Sequence, residues 1–265
     1  MKRLQVVRAV IAALVGVLAA GVVSAAPASA LANGTAATPG QYAFAVKLVM
    51  TDIPTGAGGS YTSGCSGALI SPTWVITAGH CFHDVNRNPV SGPVPYPTTA
   101  TFNTVTTNPA SATAVTFDID TVQQSPTADI AIAHLSAASA ASAANDTVSP
   151  LHLATSPPSK GTVVTMAGWG ATQDASPAPS NQLYWGQMKV ARFSSTTVSV
   201  AGYAPSKNTS ACQYDSGAPY FTTGTTPLLV STESNGPNCP HTSAETTARV
   251  DNQLSWISSW VLDLP

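Results

Sequence analysis

Cys212-Gln213-Tyr214-Asp215-Ser216-Gly217-Ala218-Pro219 is the stretch of this 265-residue chain whose reading decides the rest. Asp-Ser-Gly with proline two residues on reads as a tight turn, because glycine admits backbone angles that side chains disfavour and proline fixes the chain that follows. A serine in such a turn is presented to its surroundings rather than packed. Its hydroxyl is a weak nucleophile until a neighbouring imidazole can take its proton. Two earlier stretches supply the partners that this chemistry needs. Trp74-Val75-Ile76-Thr77-Ala78-Gly79-His80-Cys81 ends an apolar run on a histidine, and Asp129-Ile130-Ala131-Ile132 sets an acid at the head of another.

Around these stretches lie short runs with the alternation of half-buried strands. Phe44, Val46 and Leu48 alternate with Ala45, Lys47 and Val49, and Ile130 and Ile132 with Ala131 and Ala133. Val163 to Trp169, Leu183 to Val190 and Leu228 to Thr232 read likewise, with Gly, Pro, Ser and Asn between them, the pattern of a sandwich or barrel. The tail differs: Val250, Leu254, Ile257, Val261 and Leu264 recur on one face of a helix, with Asp251 placed to cap or complement its N-terminus. An Ala/Ser stretch from Ala137 to Ala144, followed by Ser156-Pro157-Pro158-Ser159, marks a boundary between residues 31–155 and 156–265.

Composition excludes several function classes. Hydrophobic residues make up 44% and charged residues only 8%, which argues against disorder and against a bundle of solvated helices. The ten Lys and Arg are scattered, with no cluster to grip a phosphate backbone, so nucleic acid is not expected as a partner. Lys2 and Arg3, an uncharged run from Ala9 to Val23 and then Ala28-Ser29-Ala30 form a secretory signal over residues 1–30. The apolar run falls short of the roughly 20 residues of a membrane span, so no stable membrane association is expected. Cleavage after Ala30 leaves seven basic against twelve acidic residues, a net charge of −5. Cys65, Cys81, Cys212 and Cys239 all follow the signal, and an exported chain with four cysteines suggests two disulfides. Four cysteines allow three pairings; the spacings favour Cys65 with Cys81 and Cys212 with Cys239. No spacing suits zinc, and no phosphate or calcium loop is present, so neither metal nor cofactor is inferred. Asn33, Asn145 and Asn208 fit the glycosylation pattern, which chance matches explain in a chain so rich in Ser and Thr.

The three stretches, in the order His, Asp, Ser, together with Gly168-Trp169-Gly170, resemble the motifs of the chymotrypsin/trypsin-like serine peptidases. The intervals of 49 and 87 residues between the three suit that family, as do both cysteine pairs and the tail helix. The resemblance covers Leu31 to Pro265. It implies an all-β fold of two antiparallel β-barrels with a C-terminal helix, the first carrying His80 and Asp129 and the second Ser216. It implies a secreted, monomeric endopeptidase acting on protein or peptide substrates, with a protein inhibitor as a further partner. Ser216 is then the nucleophile, His80 the general base and acid, and Asp129 the residue that orients it. Asp118 and Asp120 compete with Asp129 for that role, and His83, His134, His152 and His241 read as surface or packing residues.

The resemblance also implies roles away from the three. Backbone N–H groups of Tyr214 and Ser216 form the oxyanion hole, and Tyr214 stands where the family usually has glycine. A side chain forced into glycine's backbone angles costs about 1–3 kcal/mol. Ala218 likewise replaces a glycine, whereas Gly79 in place of alanine reads as a small change. These departures carry the alternative of a peptidase-like binding protein. A freed α-amino group at Leu31 is expected to pair with Asp215, so that signal cleavage alone yields the active form. Ser210 is expected at the floor of the primary pocket, with Ser231, Thr232, Glu233 and Glu245 around it. A neutral pocket with both glutamates outward is the favoured reading, because an unpaired carboxylate is costly to bury; an inward glutamate would select basic side chains.

Overall fold

The computed structural model describes residues 31–55, 58–137, 148–174 and 177–265. The signal segment, most of the Ala/Ser stretch and Asn145 lie outside the described residues.

Strands β1 (Thr35–Ala36), β2 (Ala45–Pro54), β3 (Ser60–Ser71), β4 (Trp74–Thr77), β5 (Gly92–Pro93), β6 (Thr98–Phe102), β7 (Val115–Gln124) and β8 (Ala131–Leu135) come first. They are followed by β9 (His152–Leu153), β10 (Val163–Gly168), β11 (Tyr184–Phe193), β12 (Thr197–Ala204), β13 (Pro219–Phe221), β14 (Leu228–Asn235), β15 (Glu245–Arg249) and helix α1 (Leu254–Trp260). Two antiparallel six-stranded barrels result. The first runs β2-β3-β4-β8-β7-β6 and closes on β2; the second runs β10-β11-β12-β15-β14-β13 and closes on β10. Closure removes the open edges at which strands otherwise aggregate.

Alternation decides which side chains fill each barrel. On β7, Val115, Phe117 and Ile119 are buried while Thr116, Asp118 and Asp120 face out. Phe117 stacks on Phe102 from β6, ring centroids 5.8 Å apart, at the centre of the first barrel. Met166, Met188, Val198, Val200 and Tyr220 fill the second. A third cluster joins the barrels: Ile70, Ile76, Ile130 and Ile132 of the first meet Trp169, Leu183, Phe221 and Leu229 of the second. Lys47 on β2 is buried in the same junction, where its ammonium donates to Thr107 Oγ1 (3.0 Å), the Ser180 carbonyl (2.7 Å) and Asn181 Oδ1 (3.2 Å). All three of its protons are used, which is what permits a lysine there.

Both ends of the described chain cross to the other barrel. Leu31 is buried in the core of the second barrel and β1 pairs with β11. Helix α1 sends Ile257 and Val261 into the junction, and Gln253 before it binds Ser125 (2.7 Å) and Thr127 (3.1 Å) of the first barrel. The helical face expected in the tail is present, but Asp251 does not cap it. That carboxylate pairs with Arg249 (2.6 Å), and Gln253 stands at the helix start without a side-chain cap bond. The chain also does not divide between barrels at one point: β9, before residue 155, pairs with β14 of the second barrel.

Candidate functional site

The junction brings His80, Asp129 and Ser216 together from three separate elements. His80 lies in a short 3-10 helix, Gly79–Cys81, that follows β4. One end of that turn is tied by the Cys65–Cys81 disulfide, and Gln124 Nε2 holds it from β7 by donating to the carbonyls of Gly79 (2.9 Å) and Phe82 (3.0 Å). A Cβ on Gly79 would come within 2.7 Å of Gln124 Oε1, the end of a flexible side chain, so the clamp lies close over this glycine. Asp129 Oδ1 receives the backbone N–H of His80 at 2.8 Å. Its Oδ2 lies 2.8 Å from His80 Nδ1, and His80 Nε2 lies 2.8 Å from Ser216 Oγ. A carboxylate only accepts, so Nδ1 carries the ring proton and Nε2 offers its lone pair to the serine hydroxyl. Burial alone would raise Asp129. The hydrogen bond and charge of His80, the Ser234 hydroxyl (2.7 Å) and the His80 N–H outweigh it and hold the carboxyl below its ordinary range. Asp120 is engaged elsewhere, with His134 at 2.9 Å.

The turn that presents Ser216 is fixed by its neighbours. Gly217 has φ +82°, and a Cβ there would meet Thr77 Oγ1 at 2.1 Å, so only glycine fits. Ser216 gives its carbonyl to the N–H of Ser66 (2.9 Å). Tyr214 adopts φ +72°, the left-handed conformation that glycine takes without strain. Ser66 Oγ donates to the Tyr214 carbonyl (3.1 Å) while accepting the N–H of Trp169 (2.9 Å), which pins the strained peptide from both barrels. Among the described residues, neither Tyr214 nor Ser216 donates its backbone N–H to a backbone carbonyl. Sequence reading identified Tyr214 and Ser216 but missed Ser66, Gln124 and Ser234.

A groove runs past Ser216. On one side a cavity of about 370 Å³ is lined by residues that include Met50, Ile53, Cys65, Arg87 and Tyr214, with His80 and Ser216 at its edge. On the other a cavity of about 230 Å³ is lined by Asp174, Ala211, Cys212, Gln213 and the run Glu233 to Asn238, again with His80 and Ser216. The wall is therefore set three residues further along than expected. Ser231 and Thr232 are buried and do not line this cavity; Ser231 instead accepts from Thr247 Oγ1 at 2.7 Å. Ser234, Asn235 and Gly236 line it in their place. Ser210 is buried beneath it, its hydroxyl accepting the His241 N–H at 3.2 Å. The expectation that Glu233 and Glu245 point outward is overturned: they are 4% and 1% exposed. The Tyr220 hydroxyl contacts both carboxylates, and the Ala211 N–H reaches Glu245 Oε1 at 2.5 Å, so burial is offset by polar partners. His241, read as a surface or packing residue, has its ring turned in to 3.4 Å from Glu245.

The chain from Leu31 is held against the segment that leads from Ser210 to Ala218. Ala32 and Ser210 exchange backbone hydrogen bonds of 2.9 and 3.1 Å, and Leu31 packs with Ala211 and Ala218. Asp215 is fully buried, and its carboxylate accepts the N–H groups of Gly170 (2.9 Å) and Cys212 (3.0 Å). Burial pushes it up to about 7 against those two bonds, with the nearby Glu245 adding to the rise.

The second disulfide joins Cys212 to Cys239, bracing the serine turn against the loop before β15. No group of three or more His, Cys, Asp or Glu among the described residues is placed to hold a metal ion, and no helix among them is long and apolar enough to cross a membrane.

The sequence is similar to several known proteins. A 47-residue stretch is 40% identical to "Inactive serine protease 35" of Rattus norvegicus, covering 18% of this chain but 12% of that protein. A 49-residue stretch is 41% identical to the Bos taurus protein of the same name, again 12% of its length. "Trypsin beta" of Drosophila erecta is 24% identical over 248 residues, covering 86% of this chain and 87% of its own. The Trypsin family model matches residues 31–257, which include both barrels and His80, Asp129 and Ser216. The chain belongs to the trypsin family of serine peptidases.

Proposed function

We propose that this protein is a secreted serine endopeptidase that cleaves peptide bonds through an acyl-enzyme on Ser216. The observation that carries the reading is the unbroken chain Ser216 Oγ–His80–Asp129, with both imidazole nitrogens at 2.8 Å from their partners. Ser216 Oγ attacks the substrate carbonyl and its proton passes to His80 Nε2. Asp129 holds the ring in the needed tautomer and stabilises the imidazolium that forms. His80 then gives the proton to the leaving amine, and water, activated in the same way, releases the acyl group. The N–H groups of Tyr214 and Ser216 serve the developing oxyanion, and losing one such donor typically costs about 10²–10³ in kcat. The signal segment and the two disulfides suit export to an oxidising compartment. Cleavage after Ala30 would free the Leu31 amino group to pair with Asp215, whose buried carboxylate otherwise has two N–H donors and no cation among the described residues.

A second reading, a peptidase-like protein that binds without cleaving, draws on Tyr214 at φ +72° and on the short matches to proteins named inactive. Turnover of casein by the purified secreted protein separates the two. The endopeptidase reading expects fragments that disappear in Ser216→Ala; intact casein with a folded protein supports the binder.

A further inference from the structure

The cavity beside Ser216 contains an acid pair whose hydrogen bonds do not balance without an extra proton. Glu233 on β14 and Glu245 on β15 each bring Oε2 to the hydroxyl of Tyr220 on β13, at 2.7 and 2.6 Å. A phenol has one hydrogen, so it donates to one carboxylate only. The other contact holds only if that carboxyl keeps its own hydrogen and donates to the phenol oxygen. Two ionised carboxylates sharing one site would also repel each other. At least one of the pair is therefore protonated, and the cluster carries at most one negative charge.

The environment points the same way. Burial comes first in raising Glu245, to about 7, and in raising Glu233 well above the carboxylate range, with repulsion from Glu245 next for Glu233. Asp215 and Asp129 also add to the rise of Glu233, while His80, which lines the same cavity, is engaged by Asp129. His241 faces Glu245 but directs Nδ1 to the Ser243 carbonyl at 3.0 Å, so that nitrogen donates there, and burial lowers its basicity.

What the cluster lacks is a cation. Glu233 lines the cavity, is 4% exposed, and its Oε1 has no hydrogen-bond partner among the described residues. Asp174 lines the same cavity and its buried Oδ2 has none either. No Lys or Arg is in the lining. Two carboxylate oxygens left open at a cavity bordered by Ser216 fit a positively charged donor from outside the chain.

We propose that the Glu233–Tyr220–Glu245 cluster, with Asp174 at the rim, determines the specificity of this cavity by taking a cationic side chain and releasing a proton as it does so. Selection comes from the wall formed by β14 and β15, not from the buried Ser210. With the cluster neutral, the cavity accepts an uncharged side chain. As pH rises and the cluster ionises, a cation gains a partner and an uncharged side chain does not, so preference for the cation grows with pH. That the side chain belongs to a substrate rests on the endopeptidase reading, but binding of the cation does not.

Calorimetry on the purified secreted protein tests this with benzamidine and its neutral isostere benzamide. At pH 8 benzamidine should bind at least tenfold more tightly, with an observed heat that varies with the ionisation heat of the buffer and so reports a released proton. At pH 6 the advantage should shrink severalfold, and in Glu233→Gln it should vanish. Equal affinities at pH 8, or an advantage that is proton-neutral and the same at both pH values, would overturn the proposal on the unmodified protein, whether or not the variant folds. Fluorophosphonate labelling of Ser216 reads the nucleophile separately. Benzamidine binding with proton release in an unlabelled protein would keep the cation site and remove the peptidase reading, and a labelled protein without cation preference would do the reverse.

Discussion

Ser234 Oγ donates to Asp129 Oδ2 at 2.7 Å, the same oxygen that faces His80 Nδ1. The carboxylate that orients the histidine is thus held from the second barrel as well as the first, and movement at the junction is transmitted directly to His80. Ser234 also lines the cavity beside Ser216, so one residue touches both the carboxylate and the cavity wall.

Replacing it should therefore act on catalysis before it acts on folding. A hydrogen bond to a charged group contributes about 1.5–3 kcal/mol, and about 1.4 kcal/mol is tenfold in rate. Ser234→Ala is expected to lower kcat about tenfold. The Ser234 bond is one of those that lower Asp129, so its loss raises the carboxyl, and activity at the low-pH end of the profile, where protonation of Asp129 adds to that of the base, should fall away more steeply in the variant. A pH series of kcat/KM on both proteins checks both effects.

Asp215 gives a prediction about the N-terminus. Its carboxyl is raised from 3.8 to about 7, so the folded chain holds a proton there that the unfolded chain has already lost. Stability from this group is greatest below the unfolded value and declines as pH rises toward 7. A free amino group on Leu31 would supply the missing countercharge and remove that decline. A form that keeps Ser29-Ala30 ahead of Leu31 should lose several degrees of Tm between pH 5 and pH 8 relative to the form that begins at Leu31. Thermal unfolding of both across that range decides it.

Tyr214 is strained in a way that can be measured. Residues with a Cβ pay roughly 1–2 kcal/mol for the left-handed conformation and glycine does not. Tyr214→Gly should therefore be more stable than Tyr214→Ala by about 1 kcal/mol, even though glycine is the less stable choice at ordinary backbone angles. Denaturant unfolding of the two variants makes the comparison, and equal stability would show that Ser66 does not hold the turn at φ +72° in solution.

The parts legible in the sequence were those coded locally. Strand alternation and the histidine and serine turns each depend on residues within a few positions, the cysteine partners lie 16 and 27 residues apart, and the trypsin family membership follows from the same motifs. The pocket wall was not legible, because its register depends on a β-bulge: β14 and β15 slip between Glu233 and Asn235. The fate of the two glutamates was hidden for another reason. Tyr220 sits on β13, and only the closed barrel places its hydroxyl between β14 and β15. Gln124 was equally invisible, since its hold on the His80 turn crosses from the end of β7.

An activated Ser216 hydroxyl reacts with a fluorophosphonate probe and an ordinary serine does not. Mass spectrometry of the labelled protein should locate one covalent adduct on Ser216, present in the unmodified protein and absent in His80→Ala. A folded protein that remains unlabelled, or one labelled equally well without His80, would contradict the account.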